Sequence, residues 1–361
     1  MLPTNNNSRI IYLDILRIIA TIAVIFTHVS AMHLEDLSCN STDWQIHNLY
    51  ASLSRWSVPI FLMISGALFL NHDKNVKISI LYKKNILRIM TALIVWSFIY
   101  AFFQYLTIER YHNPSSIIGL TIIGHYHLWF LYLILGIYIS LPVLVKISEN
   151  KNVLHYFMLA SFIFTFILPL ITETGKNILP QQAWDSFNAH PYFLEAINHN
   201  YNFFCPHIFI GYVFYFMFGH YLNIKEINTR LIRFIAFGGL CGAIGIILGT
   251  YFSTSSQNEF SGSFYHYLNI CPLFEATAIF CIVKYIPHHH NGRINVILSK
   301  SSFGTYLIHP ILIEICLMFD IDTMIICPML SIPLMVSIIF ITSTLISYVL
   351  MRIPIIKRFC I

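Results

Sequence analysis

The 361-residue chain is 57% hydrophobic and only 10% charged, whereas soluble domains carry roughly 25% charged residues. So few charges cannot cover a water-facing surface, and a mean hydropathy of +0.69 makes this an integral membrane protein. The net charge of +5 does not point to nucleic acid, because no basic face interleaved with aromatic residues accompanies it.

A hydrocarbon core of ~30 Å needs ~20 helical residues to cross it. Apolar runs of that order predict ten helical spans, at about 10–32, 49–70, 88–107, 126–146, 153–172, 203–222, 231–252, 264–286, 302–319 and 326–352. The first run follows one positive charge and lacks a small-residue cleavage site, so it reads as a retained span rather than a secretory leader. The short apolar stretch 115–124 reads as an interfacial or re-entrant piece leading into span four, and the longest loop on the outer side is about 173–202. The eight cysteines form no C-x-x-C pair and read mainly as small packing residues, with Cys39 and Cys205 on the same side and able to pair. The "HHHNGR" run from His288 to Arg293 reads as a solvated inside loop rather than a metal tract. A single all-α transmembrane domain over 1–361 is therefore expected.

Lysine and arginine set the orientation. With the N-terminus in the cytoplasm, the inside segments hold 17 of these residues and the outside segments only Arg110 and Lys176, with Arg17 and Arg55 left inside spans. That asymmetry predicts an even number of spans, both termini cytoplasmic.

Ionisable groups inside spans are costly and usually mark function. The candidates are Asp14, Arg17 and His28 in span one, Arg55 in span two, Glu275 in span eight, and His309 and Glu314 in span nine. Arg17 and His28 are eleven residues apart. On a helix this returns the direction to within about 20° and rises about 16 Å. The two groups thus share one stripe at opposite depths, with Asp14 placed to pair with Arg17 at i, i+3. The bland alternatives are an arginine that snorkels or merely pairs with Asp14, and a histidine satisfied by a neighbouring carbonyl. Glu275 follows Pro272 and is a candidate partner for a buried arginine. His309 precedes Pro310, which offers either a helix kink or a polar contact into the bundle.

Four ordered segments together resemble the acyltransferase-3 family of membrane O-acyltransferases. The first is "YLDILRIIATIAVIFTH", with Arg17 and His28 separated by ten residues. The second is "RWSVPIFLMISGALFL", with Pro59, Phe61, Ser65 and Gly66. The third is "HLWFLYLILGIYISLPVL", with Trp129 and Phe130. The fourth is "SSFGTYLIHPIL", with Gly304, Tyr306 and His309. Spans two, four and nine are most similar to the group that O-acetylates enterobacterial common antigen. One position departs from the family pattern. Where many members carry R-x-x-R after span two, this chain reads "KKNILR", with Asn85 first, Arg88 second and Lys84 adjacent. A lysine is a point charge, not a bidentate fork, so that role carries over securely to Arg88 alone.

The resemblance implies transfer of an acyl group, usually acetyl, from acyl-CoA to a hydroxyl of a surface polysaccharide or its lipid-linked precursor, in the bacterial cytoplasmic membrane. It implies His28 and Arg17 as catalytic residues, with Arg17, Lys84 and Arg88 on the donor and Lys83 beside them. Asp14, Arg55, Glu275 and His309 are supporting polar residues. Imidazole suits a general base because its ordinary pKa, about 6.5, lies near working pH. A covalent acyl-histidine relay stays open beside direct transfer. No Ser-His-Asp set or open metal site is legible, and acetyl-CoA is expected as a co-substrate rather than a bound cofactor. Ten spans with buried charges also fit a transporter or flippase, although no paired Gly/Pro-broken segments in two halves are visible. A sensor or assembly role is a third alternative.

Overall fold

The computed structural model describes residues 9–70, 85–108, 111–170, 210–287 and 292–359. Among these the chain is helical, without strands. The helices are α1 Ile11–Val29, α2 Thr42–Ser52, α3 Ser57–Phe69, α4 Leu87–Thr107, α5 Pro114–Ile123, α6 Trp129–Glu149 and α7 Lys151–Phe162. They continue with α8 Val213–Ile224, α9 Thr229–Gln257, α10 Ile270–Tyr285, α11 Arg293–Met318, α12 Pro328–Leu350 and α13 Pro354–Phe359. Each of the ten expected runs carries a helix, and among the described residues eight helical stretches are long and apolar enough to cross a membrane. The bundle is turned outward in the way a lipid-facing protein is. Phe234, Phe237, Leu345 and Val349 are exposed, whereas Trp44, Tyr100 and Phe216 are buried.

α1 is the hub of this bundle. It packs against α3, α11, α12, α10 and α2, and Leu16, Ala20, Ile25 and Val29 are fully covered. Between apolar helices in lipid, association relies on close van der Waals fit and small residues. α3 and α8 show this most sharply. A Cβ on Gly66 would stand 1.7 Å from the Phe216 carbonyl oxygen, and one on Gly219 would stand 2.2 Å from that of Met63. The two backbones touch where each helix offers a glycine.

Two helices differ from expectation in ways that build the site. Span two is not one helix: α2 and α3 are separated by residues 53–56, so Arg55 sits at a break rather than within a helix. Serine side chains compete locally with the helical ladder. The Ser54 hydroxyl bonds to the Ala51 carbonyl, and the Thr27 hydroxyl bonds to that of Ser54 at 3.0 Å, tying the break to α1. Span nine begins nine residues earlier than its apolar run, at Arg293, which carries Ser299 to the level of Arg17. Stretch 115–124 folds as α5, capped by the Asn113 side chain, with no residue buried. Lys83, Lys84, the loop 173–202, Cys205 and His288–His290 lie outside the described residues.

Candidate functional site

Two helices frame the site. α1 and α11 run side by side in the same direction: Asp14 and Arg17 meet Ser299, and eleven residues further along α1, His28 meets His309. Both predicted members of the α1 stripe therefore face one partner helix at two depths.

At the first depth Asp14 is the organiser. It accepts a two-pronged bond from Arg9 (2.8 and 3.0 Å) and one from the Ser299 hydroxyl (2.6 Å). Arg17 lies farther from this carboxylate, at 3.6 Å, and donates to the Ser299 hydroxyl at 3.1 Å. The expected Asp14–Arg17 pair thus exists, but Arg9 takes the bidentate geometry. Arg17 therefore keeps guanidinium surface for a cavity of about 330 Å³, which Arg88, Asn85, Ser65, Tyr138 and Phe303 also line. The Arg88 guanidinium stands 5.5 Å over the Phe303 ring. Two guanidinium groups on one mostly apolar cavity give it the character of an anion site, since arginine matches phosphate with paired N–H donors.

The inner end of this cavity is aromatic. Phe61, Phe130 and Tyr306 close it, with ring centroids 6.0 Å apart for Phe61–Phe130 and 5.9 Å for Phe130–Tyr306. Tyr306 also faces the second depth. Its hydroxyl donates to the His127 carbonyl, and its ring lies 5.5 Å from that of His127 and 6.0 Å from that of His309.

Beyond Tyr306 is a chamber of imidazoles. The His28 ring is 5.3 Å from both His309 and Tyr126, and His309 is 5.8 Å from His127. Nε2 of His127 and Nε2 of His309 are buried without a partner among the described residues, although buried polar atoms are nearly always bonded. Arg55 carries the positive charge nearby. It stacks 3.9 Å over the Tyr265 ring, and its charge acts on His28, Tyr267 and Glu275. Glu275 is buried, yet no ion pair within 4.0 Å joins it to an arginine among the described residues.

Pro310 interrupts the α11 ladder, and His309 makes its hydrogen bond within its own helix. Without a Pro310 N–H the α11 ladder is loosened there. The Tyr100 hydroxyl enters it, donating to the Leu307 carbonyl at 2.8 Å and accepting from the Ile311 N–H at 3.3 Å. His309 meanwhile points into the chamber, with Nδ1 3.3 Å from the Thr305 carbonyl.

The site also contains residues that sequence reading passed over. His125 and His127 flank Tyr126 on the short turn that precedes α6, with their Nδ1 atoms 2.8 Å apart. His125 Nε2 is 2.7 Å from the Glu314 carboxylate, and Tyr100 stacks on His125 at 4.2 Å and 14°. The available signal was the "GHYH" string at the head of an apolar run, opposite an ionisable residue in span nine.

Among the described residues no group of three His, Cys, Asp or Glu side chains is arranged to hold a metal. What the arrangement offers chemically is an anion-binding cavity that ends, past one tyrosine, at several imidazole nitrogens. No curated protein and no solved structure matches the chain. Residues 10–352 match the acyltransferase domain family, which takes in all ten helical runs and both halves of the site. The chain belongs to the acyltransferase-3 family, and it is a multi-pass membrane acyltransferase.

Proposed function

We propose that the protein moves an acetyl group from acetyl-CoA to a hydroxyl of a surface polysaccharide or its lipid-linked precursor. The observation that carries the reading is the parallel α1–α11 pair. It puts Arg17 on the cavity and His28 against His309 one chamber further in. The proposed setting is the bacterial cytoplasmic membrane, with both termini and the Arg17 end on the cytoplasmic side, where the lysine and arginine excess lies.

In this reading the donor enters at Arg88, with Lys84 contributing from the adjoining segment, and its phosphates rest on the guanidinium groups. A cavity of about 330 Å³ is at the small end of ligand sites. It suits the acyl-pantetheine arm, leaving the nucleotide outside. The thioester then lies against Tyr306. His28 takes the proton of the acceptor hydroxyl, the oxygen attacks the thioester carbonyl, and the C–S bond breaks with its electron pair on sulfur. Asp14 holds the Arg9–Ser299–Arg17 group in place. Arg55, whose charge also acts on Glu275, sets the positive potential at the acceptor end. Acceptors of the enterobacterial common antigen type are the finer proposal, supported by the likeness of spans two, four and nine.

The test uses purified protein in lipid nanodiscs with acetyl-labelled acetyl-CoA. The acceptor is surface polysaccharide extracted from a host lacking the protein. The expected result is label in the polysaccharide, lost in His28→Ala while that variant still elutes as a folded monodisperse species. Full transfer by His28→Ala would remove His28 from the chemistry. Movement of unlabelled glycan across the membrane without acyl transfer would replace the reading with transport.

A further inference from the structure

The imidazole chamber contains more than the His28–His309 contact. His125 and His127 present their Nδ1 atoms to each other at 2.8 Å. Two neutral or charged imidazoles can face each other this way only if one of these nitrogens carries the hydrogen and the other is bare. The hydrogen on His127 is therefore tied to that on His125. His125 in turn meets Glu314 Oε1 through Nε2 at 2.7 Å. When the relay holds its lower proton count, the carboxylate accepts from His125 Nε2–H, His127 Nδ1–H donates to the bare His125 Nδ1, and His127 Nε2 is a lone pair. One more proton reverses the middle bond: His125 Nδ1–H donates to His127 Nδ1, and His127 Nε2 carries a hydrogen. That atom is buried and has no partner among the described residues. It is the free end of a three-residue chain whose other end, Glu314, has a side chain 26% exposed.

Both histidines are held from outside. Tyr100 covers the His125 ring and is anchored on α11, and the Tyr306 hydroxyl fixes the backbone of His127. Tyr306 is also the residue that closes the cavity on the Arg17 side. His127 is thus placed where a thioester coming past Tyr306 would release its sulfur, while His28 lies on the far side of His309.

We propose that Glu314, His125 and His127 are a proton relay that protonates the departing thiolate, with His127 as the general acid and Glu314 and His125 as positioning residues. The proposal rests on the acyl-transfer reading above. The acceptor O–H proton goes to His28, the C–O bond forms, and the C–S pair leaves on sulfur. His127 Nε2–H gives its proton to that sulfur, and the hydrogen on His125 Nδ1 moves to His127 Nδ1. His28 then releases its proton to water and the relay takes one up at Glu314. The balance is one ester and one thiol formed from one hydroxyl and one thioester.

A general acid matters more as the leaving group becomes more basic. The experiment therefore compares acetyl-CoA with its oxygen-ester analogue, whose leaving alkoxide is far more basic. It uses wild type, His127→Gln and Glu314→Leu in nanodiscs with the extracted polysaccharide. The ratio of kcat/KM for thioester over oxygen ester should rise at least tenfold in both variants. An equal loss on both donors would mean a merely structural role and would overturn the proposal. Nitrogen NMR of 15N-histidine protein gives a second readout independent of turnover. Glu314→Leu should shift the His127 Nε2 resonance, and an unmoved resonance would overturn the relay. A wild-type protein that transfers from neither donor sinks the acyl-transfer reading, and the nitrogen spectrum still decides the relay.

Discussion

The replacement of Gly66 by alanine is the most direct test of how this bundle is held. The added Cβ would lie 1.7 Å from the Phe216 carbonyl oxygen, 2.7 Å from its carbon and 3.2 Å from its Cα. All three are backbone atoms, so no side chain can swing aside. Reaching even a 3.0 Å contact demands a retreat of at least ~1.3 Å between α3 and α8. A gap of 0.5–1 Å already forfeits roughly a quarter to a half of each van der Waals well along the seam. Lipid supplies no compensating hydrophobic drive. Overpacking of this kind costs about 1–3 kcal/mol, occasionally more, and the backbone-only clash places Gly66→Ala at or above the top of that range. Gly136 on α6 is the control, being exposed with nothing within 4 Å of its Cβ position. Its alanine variant should be neutral or gain about 0.5–1 kcal/mol from helix propensity. Thermal melts of detergent-solubilised fluorescent fusions, read by size exclusion, should show Gly66→Ala several degrees below wild type and Gly136→Ala at or above it. Gly219→Ala opens the same seam at Met63, so the double variant should lose less than the sum of the singles. A Gly66→Ala protein that melts within a degree of wild type would refute this account of the α3–α8 contact.

Three further outcomes follow from the site. His28→Gln keeps a side chain of similar bulk and should lower kcat in the labelled-acetyl assay by about 10²–10⁴-fold, the usual worth of a general base, with an unchanged melt. Arg88→Ala should raise KM for acetyl-CoA while leaving KM for acetyl-pantetheine, which lacks the nucleotide phosphates, nearly unaltered; equal effects on both donors would remove the phosphate assignment. Asp14→Ala leaves Arg9 and Arg17 facing each other over Ser299 without their carboxylate. It should destabilise by about 3–5 kcal/mol, as broken buried ion pairs do. Arg9→Ala, which removes a one-third exposed partner, should cost clearly less in the same melts.

The predictive power of the sequence was highest where the signal is periodic and local. The positions of ten apolar runs follow from bilayer thickness alone, and the Arg17–His28 stripe follows from the pitch of one helix. A helix lies in each run, and eight helical stretches among the described residues are long and apolar enough to cross, because neither signal requires knowledge of a neighbour. Boundaries failed where polar residues sit at helix ends. Hydropathy started span nine at 302, because Arg293, Lys300 and a serine-rich stretch dilute the apolar average. The helix nevertheless begins at Arg293, and it is this polar first part that delivers Ser299 to Arg17. The break at 53–56 was hidden for the converse reason. A few residues stitched by Ser54 and Thr27 hardly change a hydropathy window, yet they take Arg55 out of a helix and set it beside Tyr265.

Glu314 is legible as an ionisable group in span nine, but its link to His125 and His127 is not, and the reason bears on how such sites are built. Glu314 and His125 are 189 positions apart, and each alone reads as one costly polar group in an apolar setting. Their meaning lies only in the contact between them. A membrane interior makes that contact selective: a lone buried carboxylate or imidazole is penalised, and a hydrogen-bonded pair less so. The same logic governs Asp14, which could have served Arg17 alone but instead holds Arg9 in the stronger geometry, so that Arg17 keeps donors for the cavity. At both depths, one carboxylate binds a basic group off the proposed substrate path and thereby leaves a neighbouring nitrogen unspent: Arg17 on the cavity at one level, His127 Nε2 in the chamber at the other. At these two levels the charges that hydrocarbon penalises are retained in partnered sets, each of which holds a reactive or binding group in readiness.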